Sequence, residues 1–179
     1  MKKIILFLIS FIFMVGCNNL KNTPTKRVEE FLNRYQTLDN DVISQLDYTL
    51  DENYTLTDTQ KEDYKTVMKK QYKDLVYTIK EESVDGDTAV VTVEIEVYDY
   101  NKPILEADDH LLNNPDEFIN EEGLQDMETF MDFKIDIISK STERVKYTLD
   151  LTLLKDGDNW KMDDITEIDR QKIHGIYNY

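Results

Sequence analysis

TAVVTVEIEVY, residues 88–98, alternates between two sets of side chains. The first set is wholly apolar and consists of Ala89, Val91, Val93, Ile95 and Val97. The second set is largely polar and consists of Val90, Thr92, Glu94, Glu96 and Tyr98. Because successive side chains of a strand point to opposite faces of its sheet, this period of two predicts a long antiparallel strand with one face in the core.

The segments around this strand predict two hairpins. Residues 76–83 alternate before it, and residues 145–153 alternate again later in the chain. Asp-Gly-Asp occurs at 85–87 and again at 156–158, and Asp-Gly between alternating segments is a strong turn signal. After the second turn, Trp160 and Met162 are predicted to continue the apolar face of the sheet opposite Leu151 and Leu153.

The second turn also has the partial spacing of a calcium loop. Counted from Asp156, oxygen ligands fall at EF-hand positions 1, 3, 9 and 12: Asp156, Asp158, Asp164 and Glu167. Position 5 is Trp160, which has no oxygen, and position 6 is Lys161 instead of glycine. His110 lies among acids but has no second histidine or cysteine at ligand spacing. We therefore predict a hairpin here, and neither a metal nor a cofactor.

Three amphipathic helices are predicted before the sheet. The first has an apolar stripe at helical spacing: Val28, Phe31, Leu32, Tyr35 and Leu38. A shorter one begins near Asp41. The third has the stripe Tyr64, Val67, Met68, Gln71, Tyr72 and Leu75, and Thr59-Gln60-Lys61-Glu62 predicts a capping box at its start.

Residues 101–144 are predicted to form an insertion between sheet strands. Pro103 and Pro115 interrupt its first part, 101–126, which is strongly acidic and irregular in pattern, and helical periodicity returns over 124–138. Helices followed by antiparallel strands indicate an α+β fold, with the N-terminal helices packed on the sheet. The length suits one domain, which we place at 25–179.

The N-terminus has the pattern of a secretory signal peptide. Met1-Lys2-Lys3 is followed by an apolar run over 4–15, interrupted only by Ser10, and then by Gly16. The run is shorter than the ~20 residues that a transmembrane helix needs. Residues 1–16 are therefore predicted to be removed.

Met14-Val15-Gly16-Cys17 resembles the lipobox of bacterial lipoproteins, with Met14 in place of the usual leucine, and Cys17 is the sole cysteine. This resemblance implies cleavage between Gly16 and Cys17 and attachment of diacylglycerol to the Cys17 thiol. The lipid bilayer is then a partner, and residues 17–24 form a tether on the extracytoplasmic face of the cell membrane. The alternative is a secreted protein with a chance cysteine at its cleavage site.

The charge of the chain excludes one class of partner. Without residues 1–16, 19 basic residues face 37 acidic ones, a formal net charge of −18. Such a surface repels phosphate backbones, so no nucleic-acid partner is expected.

The order of elements resembles the nuclear-transport-factor-2-like (cystatin-like) superfamily, a cone of curved sheet folded over a long helix. The resemblance is carried by residues 23–32, by the hairpin at 76–100 and by residues 156–163. Within that superfamily the chain is similar to small bacterial lipoproteins of unassigned function. The superfamily includes enzymes, binding domains and assembly domains, so the resemblance implies a fold and no particular function.

Four tyrosines are candidates for a ligand pocket: Tyr35, Tyr64, Tyr98 and Tyr147. Some members of the superfamily transfer protons with an acid and a tyrosine inside the cone, and such sites depend on raised carboxyl pKa values. A tyrosine-lined cleft also suits a small apolar or sugar-like ligand. The plain alternative is a core tyrosine with its hydroxyl at the rim.

The sequence thus predicts a non-catalytic, membrane-anchored lipoprotein that binds a ligand or an envelope protein. None of the serines after the signal segment lies in a Gly-x-Ser-x-Gly motif. The alternative is a small isomerase- or dehydratase-like enzyme with an acid and a tyrosine inside the cone. A purely structural or assembly role is the third option.

Overall fold

The structure, a computed structural model, describes residues 22–178. The predicted signal peptide, its cleavage site at Gly16 and the lipidation site Cys17 lie outside the described residues. The α-helices are α1 (Pro24–Gln36), α2 (Asn40–Asp51), α3 (Asp58–Lys73), α4 (Asn101–Asn113), α5 (Met127–Lys140) and α6 (Glu167–His174), with a short 3-10 helix at Pro115–Phe118. The strands are β1 (Val76–Asp85), β2 (Thr88–Tyr98), β3 (Arg144–Asp156) and β4 (Asn159–Met162).

The α+β class is confirmed. Over residues 22–178 the four strands form one open antiparallel sheet in the order β1-β2-β3-β4. Three helices precede the sheet, and α4 and α5 lie between β2 and β3. In the same part of the chain, every helix falls short of the length and apolar character that a membrane span requires.

Strand β2 has the predicted faces, and it begins at Thr88, one residue before the alternating sets. Its apolar set is almost completely buried: Ala89, Val91, Val93, Ile95 and Val97. Val93 lies opposite Leu149 of β3, and Val91 opposite Leu151. On the other face the Thr92 hydroxyl donates to Asp150, 2.6 Å away. The buried face of β2 belongs to the main core. Each large apolar side chain buried in this way contributes about 1.5–3 kcal/mol to the folding free energy.

The second hairpin is also confirmed, but its register differs from the predicted pairing with Leu151 and Leu153. Asp156 pairs with Asn159 across the turn, and Met162 lies opposite Leu153. Trp160 instead lies opposite Lys155, whose ammonium group is 6.0 Å from the centre of the indole ring. The indole therefore packs at the edge of the core beneath a lysine.

The capping box of α3 was predicted two residues too late. The cap is Thr57, whose hydroxyl accepts from Gln60 N at 3.2 Å, while Gln60 Oε1 accepts from Thr57 N at 3.0 Å. Gln60 is buried, and its amide nitrogen also donates to Glu128 O and to Asp132 Oδ1 of α5. Both Thr57 and Thr59 have the capping-box spacing, with Gln60 and Glu62 three residues later. The bonds of Gln60 to α5 favour the box at Thr57.

The prediction of an irregular segment over 101–126 was wrong in its first half, because α4 occupies 101–113. Pro103 fits in the first turn, where its missing N–H has no helical partner to lose. Helix α5 begins at Met127, and the Asp126 side chain caps it by accepting from Thr129 N at 3.1 Å. The insertion has a small core of its own, formed by Ala107, Phe118 and Phe130.

The described chain enters at the hairpin-turn end of the sheet. Asn22 Nδ2 donates to Asn159 Oδ1 at 2.9 Å, and Trp160 N donates to Asn22 Oδ1 at 3.2 Å. The two hairpin turns are neighbours, because Lys155 N donates to Asp87 O at 2.9 Å. Residue 22 is thus fixed to one end of the sheet.

The ends of α1, α3 and α6 lie at the opposite end of the sheet. Gln36 Nε2 donates to Leu75 O at 2.7 Å, just before β1 begins. Gly175 ends α6 with φ +72°, and its carbonyl accepts from Tyr100 N at 2.8 Å. The buried Gln71 side chain bonds both backbone groups of Tyr98. These bonds hold α6 against α3.

Candidate functional site

A cavity of about 490 Å³ lies between the C-terminal end of α1 and helices α2, α3 and α6. Its apolar and aromatic lining consists of Tyr35, Val42, Leu46, Leu50, Tyr64, Met68, Tyr72 and Ile176. Its polar lining consists of Gln45, Thr49, Glu167, Arg170 and His174. This volume, and a mostly apolar wall with a few polar groups, are typical of small-molecule sites.

Helical spacing places the aromatic wall. Tyr64, Met68 and Tyr72 follow one another at intervals of four along α3 and therefore share one face of it. Tyr35 comes from the apolar stripe of α1, and its ring meets that of Tyr72 edge to face, with centroids 5.1 Å apart. The wall is therefore a continuation of the helical core that opens on the cavity.

A tyrosine–histidine pair lies where α3 meets α6. The Tyr72 hydroxyl is 3.0 Å from His174 Nε2. Burial, together with the nearby charge of Arg170, lowers the pKa of His174 to about 4. This low pKa leaves the imidazole neutral at pH 7. The ring is densely surrounded but partly accessible through the cavity that it lines.

Arg170 places a positive charge beside these rings. Burial raises the pKa values of Tyr35 and Tyr72, and the charge of Arg170 opposes the rise at both hydroxyls. Burial alone raises the pKa of Tyr64. All three tyrosines are therefore uncharged hydrogen-bonding groups at pH 7, next to a permanent cation.

The structure brings two of the four predicted pocket tyrosines together. Tyr35 and Tyr64 line the cavity. Tyr98 lies on the other face of the sheet, where its hydroxyl donates to Asp74 at 2.8 Å and its ring lies under the guanidinium of Arg144. Tyr147 is buried on the core face of β3, and its hydroxyl donates to the carbonyl of Tyr177. Tyr98 and Tyr147 are outside the cavity lining.

The sequence candidates did not include the lining residues Tyr72, Arg170 and His174. Tyr72 had a signal, because it lies on the same helical stripe as Tyr64. The other two follow the second hairpin, in a segment for which no helix was predicted. Thr166 before it and Gly175 after it are a helix cap and a helix stop, and they could have indicated α6.

The acids of the second hairpin act as turn residues. Asp156 pairs with Lys161, and the backbone carbonyl of Asp158 accepts from Asn22. His110 bonds Glu117 at 2.8 Å and lies against the ring of Phe133. Within the described chain, no group of three or more His, Cys, Asp and Glu side chains is placed to hold a metal ion.

Comparison with known proteins gives no assignment. The chain matches no protein-family model, no curated protein and no solved structure.

The pH dependence of folding tests the environment of His174. Because its pKa is about 4 in the folded state and about 6.5 when unfolded, acidification from pH 7 to pH 5 protonates only the unfolded chain at this position. Stability should fall by about 2 kcal/mol from this group. Urea unfolding at both pH values measures it, with His174→Gln as the comparison, since its carboxylates titrate as in the wild type. An equal loss in both proteins would refute the buried, neutral imidazole.

Proposed function

We propose that this chain is a membrane-anchored bacterial lipoprotein whose extracytoplasmic domain binds a small, largely apolar ligand in the cavity between α1, α2, α3 and α6. The observation that carries the proposal is the cavity itself, about 490 Å³ with an aromatic wall. Sites of this size enclose most of the surface of a small molecule. Binding without chemical change is the activity that such a wall supports.

Catalysis is the less favoured function. An acid–tyrosine enzyme needs a carboxylate that reaches a tyrosine hydroxyl inside the domain. Among residues 22–178, tyrosine hydroxyls donate to carboxylates at Tyr48–Glu52 and Tyr98–Asp74, and both pairs are exposed and outside the cavity lining. Glu167, the carboxylate of the lining, is paired with Arg170. These arrangements favour binding over proton transfer.

The point of chain entry suits a lipid anchor at Cys17. Four residues lie between Cys17 and Asn22, so the two are five residue steps apart, about 18 Å at full extension. Asn22 is bonded to the hairpin-turn end of the sheet, while Tyr35, Tyr72 and His174 lie near the other end. Strand β2 alone, with 11 residues, extends about 36 Å between these ends. An anchored domain would therefore keep its cavity away from the bilayer.

The proposal includes the cone-shaped, nuclear-transport-factor-2-like architecture. Helix α1 contacts β1, β2 and β4, and the buried side chains of β2 and β3 share one core with α1 and α3. An open antiparallel sheet wrapped over N-terminal helices is what the resemblance implies. An open end of such a cone is where a ligand cavity is expected.

Blocking the cavity mouth tests the proposal. Gln45 is an exposed lining residue of α2, so a Gln45→Trp variant should place an indole across the opening without disturbing the core. The probe is N-phenyl-1-naphthylamine, a neutral fluorophore. Its dissociation constant for the unlipidated mature chain should rise at least about ten-fold, a loss of about 1.4 kcal/mol.

Ser44→Trp is the matched control, because Ser44 is the exposed neighbour of Gln45 on α2 and does not line the cavity. It should bind the probe as the wild type does. Equal affinities of the wild type and both variants, or no saturable binding to the wild type, would refute ligand binding in this cavity. The second result would direct attention to an envelope protein partner.

A further inference from the structure

The cavity wall offers more hydrogen-bond donors than the protein itself uses. The hydroxyls of Tyr35 and Tyr64 have no hydrogen-bond partner among residues 22–178. Every fully buried side-chain oxygen or nitrogen among the described residues has a hydrogen-bond partner. A hydroxyl without a partner is therefore not fully buried. Both hydroxyls therefore remain accessible, and both tyrosines line the cavity.

Arg170 is incompletely paired at the end of the cavity where Tyr35, Tyr72 and His174 meet. Its Nε is 3.4 Å from Glu167, and its two terminal nitrogens have no hydrogen-bond partner within the described part of the chain. The Glu167 side chain is 71% exposed, so water screens its charge. A guanidinium presents its donors in a planar fork that matches two oxygens of one oxyanion. Arg170 can therefore bind a ligand oxyanion without losing a buried partner.

The remaining groups at this end do not oppose a negative charge. His174 is neutral and is held by the Tyr72 hydroxyl, 3.0 Å away. The ring of Tyr35 meets that of Tyr72 with centroids 5.1 Å apart, and Tyr64 lies two turns before Tyr72 on the same face of α3. An uncharged phenol donates its O–H to an oxyanion. The hydroxyl of Tyr35 and the guanidinium of Arg170 are thus donors at this end, and Tyr64 adds a donor farther along the wall.

The rest of the lining is largely apolar. It includes Val42 and Leu46 of α2 and Met68 of α3. A ligand with separate apolar and charged parts could contact the apolar lining and the donors of Arg170 in one orientation. A wholly apolar ligand would remove those donors from water without giving them a hydrogen-bond partner, which costs free energy.

We propose that the ligand of this cavity is a small amphipathic anion, with its apolar body against α2 and α3 and its oxyanion headgroup at Arg170 and the hydroxyl of Tyr35. This inference rests on the proposed ligand-binding function and specifies the class of ligand. It is notable in a chain with a formal net charge of −16, whose surface as a whole repels anions. Selectivity for an anion therefore has to come from the cavity itself.

Two fluorophores that differ by one sulfonate test the inference. N-Phenyl-1-naphthylamine is neutral, and 1-anilinonaphthalene-8-sulfonate carries the same rings with an oxyanion. The wild type should bind the sulfonate at least about ten-fold more tightly, as expected for a charge-assisted hydrogen bond in a partly buried site. Arg170→Met should remove this preference and leave the affinity for the neutral fluorophore within about two-fold.

Two further variants keep the test decisive if Arg170→Met folds poorly. Lys172→Met removes the same charge from α6 at a side chain that bonds Thr148 O and does not line the cavity, so it should preserve the preference. Glu167→Gln removes the carboxylate that competes for Arg170, and it should strengthen sulfonate binding roughly two- to five-fold.

The failures of the two proposals are distinguishable. If neither fluorophore binds the wild type, the proposed function fails. If the neutral fluorophore binds in the cavity and the sulfonate binds no better, or if Lys172→Met abolishes the preference as fully as Arg170→Met, the anion assignment is overturned and ligand binding stands.

Discussion

A Gly175→Ala variant is expected to lose about 2–5 kcal/mol of folding free energy and, with it, binding at the cavity. Gly175 has φ +72°, which a residue with a Cβ adopts at a cost of roughly 1–2 kcal/mol. The added methyl group would also overlap the carbonyl oxygen of Tyr98 and the side-chain amide nitrogen of Gln71. Neither can move freely, because they are hydrogen-bonded to each other.

The consequence for binding follows from the position of Gly175 at the end of α6. Its carbonyl accepts from Tyr100 N, and this bond holds the helix that carries Arg170 and His174. Displacement of Gly175 should move both side chains relative to α3. Urea unfolding and titration with a fluorescent probe measure the two effects in one preparation.

Gly157→Ala is the matched control. Gly157 also has a left-handed backbone, with φ +61°, but no atom lies within 4 Å of the Cβ it would gain. It should lose only the roughly 1–2 kcal/mol of backbone strain and should bind the probe normally. If both alanine variants lost the same stability, the close approach of α6 to the end of β2 would be wrong.

The second large effect is expected at Cys17. A Met14→Ala/Gly16→Ala/Cys17→Ala variant has an Ala-Val-Ala motif before residue 17, which general signal peptidases accept. It should be released from cells and should carry no acyl chain. Each methylene of a bound chain contributes ~0.8 kcal/mol of membrane affinity, so loss of a diacylglyceryl group removes stable anchoring.

The double variant Met14→Ala/Gly16→Ala differs from this protein only at Cys17 and should remain acylated and membrane-bound. Metabolic labelling with an alkyne fatty acid and cell fractionation measure both properties. Incorporation of label into the triple variant, or release of the double variant in equal amount, would contradict lipid attachment at Cys17.

Much of the sheet could be predicted from the sequence, because its signals are local. The alternation of β2 depends only on which side of a strand each residue faces, and the Asp-Gly turns depend on two or three residues. The same alternation makes the side chains of Tyr98 and Val97 point to opposite faces of the sheet. The pattern therefore already places Tyr98 on the other face of the sheet from the buried set, although it was a pocket candidate.

The cavity could not be predicted to the same degree, because it depends on contacts between distant segments. Tyr72 and His174 are 102 residues apart in the chain and meet through the junction of Gly175 with Tyr100. Helix α4 was missed because its local pattern is unclear. Its exposed face carries the apolar residues Leu105 and Leu112, so the apolar stripe through Ala107, which packs on α5, does not stand out in the sequence.

Methyl NMR of the methionines tests ligand binding in the cavity most directly. With 13C-methyl methionine, the mature chain titrated with 1-anilinonaphthalene-8-sulfonate should show a large shift of the Met68 ε-methyl resonance, because Met68 lines the cavity. Met131 in the insertion and Met162 in the second hairpin should not move. A shift at Met131 or Met162 with an unchanged Met68 resonance, assigned by its absence in Met68→Leu, would contradict the account.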